Sequence, residues 1–80
     1  MYVYILENIN GQNYVGMSKH PQLRLKEHNN GHIKSTKSNR PWKIIYTDTF
    51  ANRIEARKKE KYLKSAAGRR FRKTLKQSPL

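Results

Sequence analysis

Two short β-type segments joined by a turn constrain this fold more than any other feature of the sequence. Residues 2–6 and 13–17 are rich in β-branched and aromatic side chains, and Asn8-Ile9-Asn10-Gly11-Gln12 lies between them. Such runs, bounded by asparagine and glycine, are typical of adjacent antiparallel strands. The first part of the chain is therefore predicted to form a β-hairpin.

The length of the hairpin loop decides which strand residues share a face. A two-residue turn at Asn10-Gly11 would place Tyr4 and Tyr14 on opposite faces of the sheet, because strand side chains alternate. A three-residue loop does the reverse, with Asn8 paired with Gln12. Asn8 suits the first position of a type I turn, and the glycine suits the left-handed position that follows, so we favour the three-residue loop.

The favoured register brings the two tyrosines together. It sets Tyr4 opposite Gly16 and Leu6 opposite Tyr14, so that both phenols lie on one face as diagonal neighbours. The glycine beside them leaves the backbone open on that face.

The rest of the chain predicts one more strand and three helices. The signals are a proline in a first helical turn, an asparagine followed three residues later by a glutamate, and an apolar β-type run. The first expected elements are a helix from Pro21 to about Asn29, with Ser18 or Lys19 near its start and Asn30-Gly31 as its stop, an exposed loop from His32 to Pro41 and a strand from Trp42 to Phe50. They are followed by a helix from Asn52 to about Ser65 and a last helix around Arg69 to Leu75 that packs through Phe71 and Leu75.

These elements fit one domain spanning residues 1–80. A chain of this length has room for a single small core. The predicted fold class is α/β, of the α+β type: a three-stranded, mainly antiparallel sheet flanked by three helices.

The charge of the chain predicts a polyanionic partner. The formal net charge is +13, from 18 Lys and Arg against 5 Asp and Glu, and ten of the basic residues lie between Arg57 and Lys76. One-sided clustering of this kind is typical of a phosphate-backbone footprint. A solvated basic face or contact with anionic lipid is the alternative, but no large apolar helical face accompanies the charge.

Composition also limits location and metal chemistry. No run is long and apolar enough for a membrane span, and the N-terminus has no basic region ahead of its apolar stretch, so we expect a cytoplasmic protein. There is no cysteine, so any metal must be held by oxygen or imidazole ligands.

Five side chains are candidates for chemistry: Tyr4, Tyr14, Arg24, His28 and Glu60. Each has an ordinary explanation as well. The tyrosines are also common strand aromatics, and Arg24 and His28 are four residues apart, which equally suits the surface of a short helix.

Glu60 differs from the other candidates because it lies near an apolar helical stripe. Ala56, Leu63 and Ala67 form the predicted inward stripe of the helix, and Glu60 is close to it. A carboxylate there is costly unless a cation or donor meets it. The alternatives are an internal salt bridge and a metal site.

The set is coherent for phosphodiester hydrolysis. That reaction needs an attacking water, an acceptor for its proton and positive charge near the transition state. A single Mg²⁺ on Glu60 would act as Lewis acid, and Arg24 would pair with non-bridging oxygens through its planar fork. Tyr4, Tyr14 and His28 would order the water and pass its proton.

The order of these residues resembles the GIY-YIG endonuclease superfamily. The matching elements are Tyr2-Val3-Tyr4, Tyr14-Val15-Gly16, Arg24 and His28 in Arg24-Leu25-Lys26-Glu27-His28-Asn29, and Glu60 in a later helix. Within the superfamily the chain is similar to the small stand-alone bacterial branch (UPF0213-like), and the similarity covers nearly the whole chain. Tyr2 stands where the motif has its first glycine, and Val15 stands where it has isoleucine.

The resemblance implies a role for each candidate. Tyr4 and Tyr14 correspond to the paired motif tyrosines, Arg24 to the phosphate-binding arginine, His28 to the histidine or tyrosine position, and Glu60 to the ligand of a divalent metal, Mg²⁺ or Mn²⁺. Of the two tyrosines, we favour Tyr4 as the general base.

Substrate contacts are expected on the basic loop and the last two helices. The predicted nucleic-acid-binding residues are Lys34, Lys37, Arg40, Lys58, Lys61, Lys64, Arg69, Arg70 and Lys73. These are backbone contacts that carry little sequence information, so specificity is low or comes from a protein partner.

Three functions follow from these predictions. The favoured one is a DNA endonuclease acting in repair, recombination or defence. The others are a catalytically weak nucleic-acid-binding module that keeps the fold, and a basic protein that associates with RNA or ribosomes.

Overall fold

The structure, a computed structural model, describes residues 1–75. Its strands are β1 (Tyr2–Asn8), β2 (Asn13–Ser18) and β3 (Trp42–Thr49). Its helices are α1 (Pro21–Asn29), α2 (Arg53–Lys64) and α3 (Ala66–Leu75), with a short 3₁₀ turn at Lys37–Asn39. The predicted strands and helices are all present, and Lys76 lies outside the described residues.

The sheet is antiparallel throughout, in the order β2-β1-β3. Because β1 is the central strand and is covered on both faces, Val3, Tyr4, Ile5 and Leu6 are all at most 1% exposed. This position explains why β1 reads as a continuous apolar run instead of an alternating one.

The predicted hairpin register is confirmed. Tyr4 pairs with Gly16 and Leu6 pairs with Tyr14. The Asn8 backbone N–H donates to the Gln12 carbonyl at 3.1 Å, as a three-residue loop requires. The loop glycine, Gly11, has a φ of 77°, the left-handed conformation that glycine adopts without steric cost.

Helices cover the two faces of the sheet. On one face, Tyr4, Leu6 and Trp42 form a cluster against which Leu25 of α1 packs. On the other face, Val3, Ile5 and Val15 pack against Ala56 and Leu63 of α2. Phe71 and Leu75 of α3 join this second cluster, as predicted, so the molecule has three layers: α1, the sheet, and α2 with α3.

The last helix begins three residues earlier than predicted, because Ser65 serves both helices at the joint. The Ser65 hydroxyl donates to the Tyr62 carbonyl at the end of α2 and accepts from the Gly68 N–H in the first turn of α3. Gly68 lies so close to the end of α2 that an added Cβ would be 2.4 Å from the Leu63 Cα. Ala67 belongs to α3, so our prediction that it extends the apolar stripe of α2 is wrong.

The segment from residue 32 to residue 41 is less open than predicted. Its cations are exposed, but Thr36 is completely buried, and the 3₁₀ turn at Lys37–Asn39 follows it directly. The Asn8 side chain donates to the Asn39 carbonyl at 3.1 Å, which ties the segment to the hairpin. The segment is therefore a packed connection between α1 and β3 that carries exposed basic side chains.

Candidate active site

The two motif tyrosines converge over Gly16. The ring centroids of Tyr4 and Tyr14 are 6.4 Å apart on the α1 face of the sheet. A Cβ built at Gly16 would lie 2.6 Å from the Tyr4 oxygen and 3.0 Å from the Tyr14 ring. Only glycine leaves room for both phenols at this place, so the third residue of the second motif has a steric role.

His28 of α1 completes this group from the helix side. Its Nε2 lies 3.0 Å from the Tyr4 oxygen, and its ring centroid lies 4.9 Å from that of Tyr14. The histidine is completely buried, and its Nδ1 lies 2.8 Å from the hydroxyl oxygen of Thr36. Both ring nitrogens are therefore satisfied inside the protein.

We infer the tautomer of the histidine from the contacts of the Thr36 hydroxyl. The Thr36 hydroxyl lies 3.4 Å from the Ile33 carbonyl, and we infer that it donates there and that its oxygen accepts from the ring of His28. The histidine then carries its proton on Nδ1, and Nε2 accepts the Tyr4 hydroxyl proton. The bonds run in one direction, from Tyr4 through His28 to Thr36.

The electrostatics of this group keep both rings neutral. Burial raises the pKa of Tyr4 to about 12, with a further contribution from Tyr14, while Arg24 acts in the opposite direction. Burial, and then the charge of Arg24, lower the pKa of His28 below its ordinary value. A phenol with this pKa is a poor base at neutral pH, so a role for Tyr4 as the general base requires an adjacent metal and cations to lower the pKa.

Arg24 lies at the mouth of the site beside a carboxylate that we had not predicted to take part. Its Nη1 is 2.7 Å from Oε1 of Glu27, and the two side chains are 41% and 42% exposed. The hydrogen bond that Arg24 donates to Glu27 is the main cause that raises the pKa of Arg24. The guanidinium therefore faces solvent with one of its edges occupied by an acid.

A polar cleft of about 330 Å³ opens next to this ion pair. It is bounded by the end of β2, the start of α1 and the start of α2, and three cations reach it: Lys19, Arg24 and Arg53. The cleft gives an anionic ligand access to Arg24 from the edge of the sheet.

Glu60 approaches from the other layer. Its helix, α2, packs on the face of Val3, Ile5 and Val15, which is opposite to the face of Tyr4. The Glu60 side chain is 17% exposed and pairs with Lys64 at 3.1 Å. The salt bridge that we considered as an alternative is therefore present, and any route from Glu60 to the tyrosines leads around β2, the edge strand that α2 contacts.

The donor set limits which metal Glu60 can hold. Within residues 1–75 no group of three or more His, Asp or Glu side chains is placed to bind an ion. A single carboxylate fits Mg²⁺ or Mn²⁺, since Mg²⁺ usually keeps several waters and takes its remaining ligands from one or two carboxylates and substrate phosphates. The residues present therefore fit a metal that binds together with the substrate.

All of the predicted nucleic-acid contacts are on the surface, in three groups. They are Lys34, Lys37 and Arg40 in the connection before β3, Lys58, Lys61 and Lys64 on α2, and Arg69, Arg70 and Lys73 on α3. Some of them have protein partners as well: Lys58 lies 3.8 Å from Glu55, and Arg40 donates to the Lys37 carbonyl at 2.7 Å.

Sequence reasoning missed three residues that support the site. Thr36 and Glu27 are described above. Asn29 donates to the Trp42 carbonyl at 2.9 Å and accepts from the Trp42 N–H at 2.7 Å, which fastens α1 to the start of β3. The only sequence signal for them is their closeness to His28 along the chain.

The chain is similar in sequence to proteins of one known family. Residues 1–74 match the GIY-YIG catalytic domain. The chain belongs to the GIY-YIG family. It is 39% identical over 64 residues to a UPF0213 protein of Clostridium perfringens, covering 79% of this chain and 69% of that protein.

Further relatives support the same assignment. A UPF0213 protein of Staphylococcus saprophyticus is 37% identical over 65 residues, covering 80% of this chain and 79% of that protein. The solution NMR structure of a UPF0213 protein from Bacillus halodurans matches with a TM-score of 0.55 and 32% identity, covering 98% of this chain and 86% of that chain. The GIY-YIG protein described here thus has the three-stranded antiparallel sheet and three helices of a solved relative.

Proposed function

We propose that this GIY-YIG protein is an endonuclease that hydrolyses phosphodiester bonds in DNA. The observation that carries the proposal is the convergence of Tyr4, Tyr14 and His28 over Gly16, with Arg24 at the edge of the same face. A packing role alone does not require a glycine that opens room for two phenols, or a guanidinium next to them.

Arg24 binds the scissile phosphate in this proposal. Its planar fork pairs with two non-bridging oxygens once the Glu27 carboxylate moves aside. The pair with Glu27 is exposed at both ends, so separating it costs little. The guanidinium then offsets the charge that develops on those oxygens as the bond to the leaving oxygen breaks.

Tyr14 is the phenol that meets the attacking water. It is partly exposed, whereas Tyr4 is 1% exposed and donates its proton to His28. Tyr4 and His28 hold the Tyr14 ring through edge-on and tilted ring contacts. We therefore assign water orientation to Tyr14 and positioning to the Tyr4–His28 pair.

Glu60 would hold the divalent metal, and that metal would supply Lewis-acid stabilisation of the phosphate and a more acidic bound water when present. The carboxylate must exchange its bond to Lys64 for the metal, and Lys64 is exposed enough to turn away.

The basic surface supports binding to nucleic acid. The net charge of +13 and the exposed cations on α2, α3 and the connection before β3 favour contacts with phosphates over contacts with bases. None of the helices described is long and apolar enough to cross a lipid bilayer. Sequence or structure specificity would then come from a protein partner, and we place the activity in the bacterial cytoplasm.

Cleavage of supercoiled plasmid tests the proposal. The wild-type protein is incubated with plasmid, branched DNA or RNA, with Mg²⁺ or Mn²⁺ and with chelator. We expect metal-dependent nicking that is lost in Arg24→Gln and Glu60→Gln. Glu55→Gln is the matched control, because Glu55 is also on α2 but is exposed near its start. Cleavage that persists in chelator or in Glu60→Gln would contradict the assignment.

A nucleic-acid-binding module without catalysis is the second candidate. The observation that favours it is the position of Glu60, which is paired with Lys64 in the layer opposite to the tyrosines. Under this alternative the same assay shows DNA binding with no nicking under any metal condition.

A further inference from the structure

A second basic cleft lies between the hairpin turn and α3, away from the Tyr4 group. Its volume is about 320 Å³. It is lined by Gly11, Gln12, Asn13, Arg69, Arg72 and Lys73. Two parts of the chain therefore form it: the hairpin turn, and three cations from one helix.

The three cations share one side of α3. Arg69, Arg72 and Lys73 are related by i, i+3 and i, i+4 spacing, so their side chains are neighbours. The described salt bridges are those of Arg24 with Glu27, Lys58 with Glu55 and Lys64 with Glu60, and none of them involves this group. Like charges at this spacing destabilise a helix, and an anion between them would remove that cost.

Arg72 provides a second, independent observation. Its Nε is buried and has no hydrogen-bond partner among the described residues. A buried N–H on a charged group without a partner is costly and therefore uncommon. Burial, and then the charge of Arg69, lower the pKa of Arg72, and none of the ion pairs within residues 1–75 involves Arg72.

The hairpin turn, which forms one wall of the cleft, is held in place by Asn8. Its Oδ1 accepts from the backbone N–H groups of Asn10 and Gln12, and its Nδ2 donates to Oε1 of Gln12 at 2.7 Å. The turn is thus fixed before any ligand arrives, which lowers the entropy cost of binding. Asn13, which lines the cleft, directly precedes Tyr14 in β2.

We propose that this cleft binds a phosphate group of a nucleic-acid strand. The inference rests on the proposed function for the identity of the ligand, but the phosphate site itself does not depend on cleavage. Arg72 and its two neighbours supply the charge, and the rigid turn supplies the opposite wall. The sequence predicted that α3 contacts nucleic acid, and this proposal limits those contacts to the side of α3 that carries Arg69, Arg72 and Lys73.

The first test uses inorganic phosphate and the amide resonances of the folded protein. Titration should shift the signals of Gln12 and Asn13, and Arg72→Gln should abolish the shifts. Arg70→Gln removes the same charge from the same helix outside the cleft, so the shifts should persist in that variant. Equal shifts in the two variants, or no shift in the wild type, would overturn the proposal. Because Arg72 is partly buried, the exposed variant Lys73→Gln is measured as well, and it should weaken the shifts without affecting folding.

The second test replaces phosphate with an oligonucleotide and measures affinity against salt. We expect Lys73→Gln and Arg72→Gln to weaken binding more than Arg70→Gln does, and to reduce the slope of log K against log salt by about one. If phosphate shifts the amide signals but Lys73→Gln and Arg72→Gln leave the oligonucleotide affinity unchanged, the nucleic-acid assignment is overturned. Neither measurement depends on DNA cleavage, so both test the phosphate site even when the protein does not nick plasmid.

Discussion

Replacing Thr36 with valine tests the tautomer that the structure assigns to His28. Valine has nearly the same shape, but it removes the oxygen that lies 2.8 Å from Nδ1 in a fully buried place. The Nδ1–H is then left without a partner, which costs about 1–3 kcal/mol. In a domain of this size each kcal/mol lowers Tm by roughly 4–8 °C.

The measurement combines thermal unfolding with ¹⁵N NMR of the histidine ring. Wild-type His28 should be protonated on Nδ1, and Thr36→Val should shift the proton toward Nε2 or mix the two forms. Thr36→Ser keeps the hydroxyl and should keep the Nδ1 form, while Thr49→Val, a change at an exposed strand position, should leave Tm nearly unchanged. A wild-type tautomer and Tm in Thr36→Val would refute the reasoning.

Three further predictions concern the same face of the sheet. Gly16→Ala would push a methyl into the Tyr4 and Tyr14 rings, so we expect a loss of about 1–3 kcal/mol in unfolding free energy together with loss of nicking; wild-type values would contradict the steric role. Because burial raises the Tyr4 pKa from 10.0 to about 12, the folded state keeps this proton longer than the unfolded state does. The contribution of Tyr4 to the free energy of unfolding is therefore fully present below pH 10 and is lost as the pH rises toward about 12. In urea unfolding measured against pH, Tyr4→Phe should reduce this loss at alkaline pH. Glu27→Gln should change stability by less than about 1 kcal/mol, because its pair with Arg24 is exposed, and should tighten oligonucleotide binding; weaker binding would mean that Glu27 positions the arginine.

The hairpin was predictable because its information is local. Asn8 and Gly11 specify the loop, and the loop fixes the register of both strands. The register in turn places Tyr4 and Tyr14 on one face, so the center of the candidate site follows from a few neighbouring residues. The capping of α2 by Asn52 was predictable for the same reason, since its side chain accepts from the Glu55 N–H within one turn.

Tertiary contacts explain what the sequence did not reveal. Thr36 lies in a polar segment without periodicity, and it is buried only because α1 and Trp42 close over it, with the Trp42 indole N–H donating to its carbonyl at 3.0 Å. The raised pKa of Tyr4 likewise depends on burial by other elements. The early start of α3 depends on one hydroxyl, that of Ser65, bonding to two helices.

The central claim is that the Glu60 carboxylate from one layer and the Tyr14 phenol from the other act on a single phosphate around the edge of β2. Paramagnetic broadening by Mn²⁺, with a cleavage-resistant oligonucleotide bound, measures this directly. The account predicts that broadening at Glu60 extends to Tyr14 and Gly16, disappears in Glu60→Gln and remains in Glu55→Gln. Broadening confined to α2, or unchanged in Glu60→Gln, would contradict it.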